Sequence, residues 1–117
     1  VLPAILCPLV NQLCRKAGWV KDGDTWYYLR SSGAMASGWV NLGGAWFYLN
    51  GNGSMATGWA NLGGTWYYLT ESGQMAIGWV KDGGSWYFCH PSGAMATGRV
   101  GIGGTAYTFD GSGRWVA

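Results

Sequence analysis

The chain has 117 residues, of which only 10% are charged, against roughly 25% in an ordinary soluble domain, and its net charge is +2. Seven basic and five acidic side chains, scattered along the chain, make no phosphate-tracking footprint and argue against nucleic acid as a partner. No apolar run reaches the roughly eighteen residues that a membrane-crossing helix needs.

Taken in order, the first stretch, 1–17, stands apart from the rest. Leu6, Leu9, Val10, Leu13 and Ala17 recur at helical spacing, with Asn11, Gln12, Arg15 and Lys16 opposite. Pro8 suits the first turn of a helix, and Gly18 after Arg15 and Lys16 suits its end. This predicts a short helical lead-in, serving as a cap or as a linker to something upstream. The stretch begins without Met and without a basic leader, as a processed fragment would.

From Gly18 onward a unit of twenty residues repeats five times without insertion or deletion. The copies run 18–37, 38–57, 58–77, 78–97 and 98–117, so 18–117 reads as one repeat domain of stacked pieces. The first copy is GWVKDGDTWYYLRSSGAMAS, and the fifth, GRVGIGGTAYTFDGSGRWVA, is degenerate. Within each copy the pattern has period two. In Thr25-Trp26-Tyr27-Tyr28-Leu29, Trp26 and Tyr28 point to one face, Tyr27 and Leu29 to the other. A shorter strand, Trp19-Val20-Lys21, precedes it across the turn Asp22-Gly23-Asp24, and the later copies place Gly-Gly there, as tight hairpins require. A second turn, Ser32-Gly33 in the first copy, leads into an arm carrying Met35, Met55, Met75 or Met95. A single hairpin is marginal in water, so stability must come from stacking.

The positions of Tyr27 and Leu29 stay large and apolar in all five copies, as packing positions should. The positions of Trp19, Trp26 and Tyr28 decay in the last copy to Arg99, Ala106 and Thr108. These three are the expected ligand positions. Several π faces around a small gap suit a quaternary ammonium ion, which is cationic yet has no N–H to satisfy. At roughly 0.5–2 kcal/mol per face, three faces give about 2–6 kcal/mol, hence millimolar affinity for one site. A polymer repeating the ligand would bind far more tightly.

GW, a turn, WYYL, SGAMA and the next GW together resemble the choline-binding, or cell-wall-binding, repeats of surface proteins in Gram-positive bacteria and their phages. The resemblance spans Gly18 to Ala117. It implies an all-β fold, a left-handed β-hairpin solenoid of five 20-residue repeats behind the short N-terminal helix. It further implies choline held in aromatic cages between hairpins, phosphocholine of teichoic acids as the partner, and a secreted location at the bacterial cell wall. By position, the first site would use Trp19, Trp26 and Trp39 or Tyr48, flanked by Met35 or Met55. The second would use Trp39, Trp46 and Trp59 or Tyr68, and the third Trp59, Trp66 and Trp79 or Phe88; Met75 is a further flanking residue. A fourth, with Trp79, Trp86, Phe88 and Met95, is expected to be crippled, because Arg99 and Thr108 stand where its wall should be. Whether two copies pair as a homodimer stays open.

Related repeats bind glucans, and sugars also stack on rings. Asn41, Asn50 and Asn61 are the polar side chains a sugar site would use. A purely structural or protein-interaction array is the third reading. Catalysis has little material, since Asp22, Asp24 and Asp82 sit in turns and Cys89 and His90 alternate to opposite faces. No cofactor is called for, and Cys7, Cys14, Cys89 and His90 match no zinc spacing. Cys7 and Cys14 lie about 10 Å apart along an unbroken helix, beyond disulfide reach unless Pro8 breaks it. A superhelix repeating every three hairpins, as the resemblance implies, would permit Cys14–Cys89 instead. A buried free thiol at Cys89 is the remaining alternative.

Overall fold

The computed structural model describes residues 18–30, 32 and 34–117. The helical lead-in expected at 1–17, with Cys7 and Cys14, lies outside the described residues. Every assigned element is a β-strand, in five antiparallel hairpins. These are β1 (Gly18–Asp22) with β2 (Thr25–Leu29), β3 (Gly38–Leu42) with β4 (Ala45–Leu49), and β5 (Gly58–Leu62) with β6 (Thr65–Leu69). They are followed by β7 (Gly78–Asp82) with β8 (Ser85–Cys89), and β9 (Gly98–Ile102) with β10 (Thr105–Phe109).

Each turn is two residues long. Leu42 pairs with Ala45, leaving Gly43 and Gly44 at φ +62° and +91°. Two successive positive φ values match the right-handed twist of the strands, and glycine reaches them without strain.

The register divides the side chains of a hairpin between two faces. Trp19 opposes Tyr28 and Lys21 opposes Trp26 on the first face, while Val20 opposes Tyr27 and Gly18 opposes Leu29 on the second. The second face supplies the core. Leu29, Leu49, Leu69 and Cys89 are all completely buried, and Phe109 takes the same place in the last hairpin.

The chain divides into two compact units, one running through Thr57 with Glu71–Gln74 added, the other made of Gly58–Thr70 and Met75–Ala117. In the first unit, Ala36, Val40, Phe47 and Leu49 are buried together, with Trp19, Tyr28, Leu42 and Met55 packed against them. The Glu71–Gln74 turn joins this unit through a bridge between Gln74 and Phe47. The second unit holds the third, fourth and fifth hairpins.

Stacking within each unit is hydrogen-bonded as well as apolar. The arm behind a hairpin pairs with its own second strand, as Met55 does with Leu49 and Met95 with Cys89. The same arm then donates backward to the preceding hairpin. Met55 N–H donates to Trp26 C=O at 2.8 Å, Met95 N–H to Trp66 C=O at 2.9 Å, and Trp115 N–H to Trp86 C=O at 2.8 Å. Those bonds anchor the backbone of the tryptophan that becomes an outer wall of each site.

Each methionine also locks onto the next turn. Gly53, Gly73, Gly93 and Gly113 are buried, with φ between +89° and +92°. A Cβ on Gly53 would stand 2.5 Å from Met35 Cε, and the other three meet Met55, Met75 and Met95 in the same way. Only glycine offers both this backbone conformation and room for the thioether.

Candidate functional site

The two faces explain how rings from successive hairpins meet. Within each unit, a hairpin presents its Trp19-type face to the Tyr27-type face of the next copy. Trp19 therefore meets Phe47 at 5.1 Å and 67°, Trp59 meets Tyr87 at 4.8 Å, and Trp79 meets Tyr107 at 5.0 Å and 74°. Within a hairpin the two tryptophans stand at right angles. Trp19 and Trp26 are 6.4 Å apart at 87°, Trp39 and Trp46 6.3 Å at 87°, and Trp79 and Trp86 6.3 Å at 86°. Two perpendicular indoles and a third ring from the following hairpin thus bound an open corner.

Three such corners are cavities within the units. The first, of about 330 Å³, is lined by Trp19, Trp26, Phe47, Ser72 and Gln74. Another, of about 250 Å³, is lined by Trp59, Trp66, Tyr87, Met95 and Ser112. The last, of about 330 Å³, is lined by Trp79, Trp86, Tyr107 and Trp115. The outer walls Trp26, Trp66 and Trp86 are 38%, 41% and 40% exposed, so each cavity opens to solvent past one indole face.

This arrangement corrects the third wall expected from sequence. Trp39 and Tyr48 do not line the Trp19 cavity, nor do Trp79 and Phe88 line that of Trp59. Tyr48, Tyr68 and Phe88 instead brace the tryptophan of their own hairpin, at 5.2, 4.9 and 5.3 Å. The third wall comes from the Tyr27 position, which the sequence reading reserved for packing. The second expected site keeps Trp39, Trp46 and Tyr48 on one face of the second hairpin. Met95 belongs to the Trp59 cavity, while Met35, Met55 and Met75 act as locks on the following turns.

The fourth junction is also corrected. Arg99 and Thr108 oppose each other on the far face of the last hairpin. They therefore remove no wall from the Trp79 cavity, whose third and fourth walls are Tyr107 and Trp115. Trp115 takes the place that methionine holds in other arms and lies 6.3 Å from Trp79 and 6.1 Å from Tyr107.

The polar groups nominated for a sugar are engaged in turns. Asn41 Oδ1 accepts from Gly44 N–H at 3.1 Å and Asn61 Oδ1 from Gly64 N–H at 3.0 Å, while Asn50 donates to Ser54 Oγ. Among the described residues no cluster of three His, Cys, Asp or Glu side chains is placed to hold a metal. Cys89 is a free, fully buried thiol. It fills a leucine position by burying its sulfur. That burial pushes its pKa up to about 11, against a smaller opposing effect from a hydrogen bond with the Tyr68 backbone. A thiol held protonated is no nucleophile at neutral pH.

Comparison with known proteins agrees with this geometry. The choline-binding repeat model matches residues 36–78, and the cell wall binding repeat model matches 17–35 and 77–95. No curated protein sequence matches. Among solved structures, CbpJ of Streptococcus pneumoniae is 50% identical with a TM-score of 0.84, covering 86% of this chain and 35% of its own. The cell wall endolysin from the pneumococcal phage Cp-1, solved with choline, is 35% identical with a TM-score of 0.71, covering 86% of this chain and 30% of its own. The choline binding domain of Spr1274 from S. pneumoniae is 37% identical with a TM-score of 0.57, over 67% of this chain and 99% of that domain. The chain thus spans about a third of the length of the larger relatives. Repeats of this kind are binding modules rather than catalytic ones, and no catalytic constellation is present among the described residues. By motif, hairpin geometry and likeness to these structures, the chain belongs to the family of choline-binding repeats.

Proposed function

We propose that this chain is a cell-wall-binding module that holds the choline of phosphocholine-bearing teichoic acids in its aromatic corners, and so keeps its protein at a bacterial surface. One observation carries the reading. Three described cavities each bring two indoles of one hairpin against a ring of the next. A trimethylammonium group lacks N–H donors and presents methyl groups with diffuse positive charge in every direction. It is satisfied by π faces on several sides. Water gains little there, because walls of indole and phenyl give it few hydrogen-bond partners.

With gross attraction of about 2–6 kcal/mol from three faces, each corner binds at millimolar strength. The two corners of the second unit engage neighbouring groups of a polymer at high effective concentration, so the wall is bound far more tightly than free choline. The test is calorimetric titration of the whole chain with choline chloride, alongside its melting temperature. Saturable millimolar binding at more than one site, with a raised melting temperature, supports the assignment. Absence of both, with a response to dextran instead, would reassign the corners to sugar stacking.

A further inference from the structure

The described corners carry different charges at their rims, and the difference follows from strand alternation. Lys81 and Asp82 are neighbours on β7, so they point to opposite faces of the fourth hairpin. Lys81 opposes Trp86, and its Nζ lies 5.8 Å from that ring, beside the Trp79 cavity. Asp82 faces back to the third hairpin, where Trp59 Nε1–H donates to its Oδ2 at 3.0 Å. The Trp59 corner therefore has a carboxylate at its rim and, opposite Trp66, the neutral Asn61. The Trp79 corner has an ammonium, and the residue equivalent to Asp82 in the hairpin stacked on it is Ile102. Lys21 repeats the ammonium at the Trp19 corner, 5.8 Å from Trp26, where Leu42 stands in the place of Asp82. On the Ser112 turn, the Ser112 hydroxyl hydrogen bond chiefly, and the Arg114 charge to a smaller degree, hold the Asp110 carboxyl below its ordinary value, so Arg114 has Asp110 as its counter-charge.

We propose that the corners are of two kinds: Asp82 makes the Trp59 corner select the bare quaternary ammonium, and Lys81 makes the Trp79 corner select its phosphorylated form. The inference rests on the choline reading above. A cation entering between the rings is attracted by the Asp82 carboxylate and repelled by the Lys81 ammonium. Once a phosphate is attached through the two-carbon link, it stands at the rim, where the signs reverse. Lys81 then pairs with the phosphate and Asp82 opposes it. Lys21 places the Trp19 corner in the second class. On the polymer, where every choline carries a phosphate, the lysine corners would hold the ligand and the Asp82 corner would be the first occupied by free choline.

For unit charges about 6 Å apart in a water-like medium, each interaction changes an affinity about threefold, and the opposed effects at the two corners multiply to roughly tenfold. The experiment follows the tryptophan indole N–H signals by NMR in the full chain, titrated at low salt with choline and separately with phosphocholine. The ratio of phosphocholine to choline affinity should be roughly tenfold higher at Trp79 and Trp86 than at Trp59 and Trp66. Lys81→Gln should cut the ratio about threefold at the Trp79 corner alone, and Asp82→Asn should raise it by a similar factor at the Trp59 corner alone. The asparagine still accepts from the Trp59 indole, so charge changes without freeing the ring. Equal ratios at the two corners, or ratios indifferent to both variants, overturn the division. Silence of every indole to both ligands would instead overturn the choline reading, and the division with it.

Discussion

Gly93→Ala tests the lock that joins one arm to the next turn. Gly93 is buried at φ +90°, and a Cβ there would enter the space of Met75 Sδ, Cε and Cγ. Two costs add. A left-handed backbone is worth about 1–2 kcal/mol against a residue with a Cβ. Overpacking against a held side chain costs about 1–3 kcal/mol more. The variant should therefore lose about 2–5 kcal/mol in urea denaturation, most of what a unit this small can spare. The two parts separate in a double-mutant cycle with Met75→Ala. Truncating the methionine removes the clash and leaves the backbone strain, so the pair should show a favourable coupling of about 1–3 kcal/mol. Additive losses would mean that Met75 does not hold Gly93, and the account of the lock would fail. Loss of stability at Gly93 with no coupling would leave backbone strain as its whole cause.

Two further substitutions probe the corner and the core. Phe47→Leu keeps an apolar side chain against Ala36, Val40 and Leu49 but removes the third π face from the Trp19 cavity. One face contributes about 0.5–2 kcal/mol, so choline should weaken two- to thirty-fold at that corner by indole fluorescence or NMR, with the other corners unaffected. An unchanged Trp19 response would remove Phe47 from the site. Cys89 predicts a pH dependence. Its folded pKa, about 11 against an ordinary 9.0, means the folded state holds its proton more tightly than the unfolded chain. Its contribution is complete below pH 9 and is lost as pH rises toward 11, a fall on the order of 2–3 kcal/mol. Cys89→Leu, which installs the residue of the other hairpins, should flatten that alkaline limb, measured as the difference between the two denaturation curves. Parallel limbs would show that the thiol does not titrate on unfolding.

Much of this was legible in the residues. The period of twenty fixes five hairpins, Gly43-Gly44 fixes a two-residue turn, and the alternation in Thr25–Leu29 fixes which rings share a face. The third wall was legible too. Trp19 and Trp26 share the first face, so what meets them in a stack of like units is the second face of the next copy, which carries Phe47, Tyr87 and Tyr107. Tyr48 and Phe88 lie on the first face and cannot reach back. Two contributions were beyond such reasoning. Ser72 and Gln74 at the Trp19 cavity, and Ser112 at that of Trp59, come from the copy two further along the chain. Their arrival depends on the rotation between hairpins, which no local pattern encodes. Trp115 was hidden because it occupies a position that holds methionine in the other arms.

The two-faced logic also explains which residues the fifth hairpin has kept. Its second face retains Tyr107, which lines the Trp79 corner, and Phe109, which is 2% exposed and takes the buried place that Leu69 and Cys89 hold in the other hairpins of this unit. Its first face has become Arg99, Gly101, Ala106 and Thr108, paired across the strands where other hairpins carry Trp with an aromatic and Lys or Asn with Trp. A ring-free face cannot form half of a π-walled corner, and Arg99 would repel a cation brought to it. The backbone there is covered by its own chain, with Val116 N–H donating to Thr108 C=O and Thr108 N–H to Ala117 C=O. The loss of rings is therefore confined to the face that begins a corner, while the face that completes one is intact. The intact face also packs the core through Phe109, so burial and the corner both call for its rings.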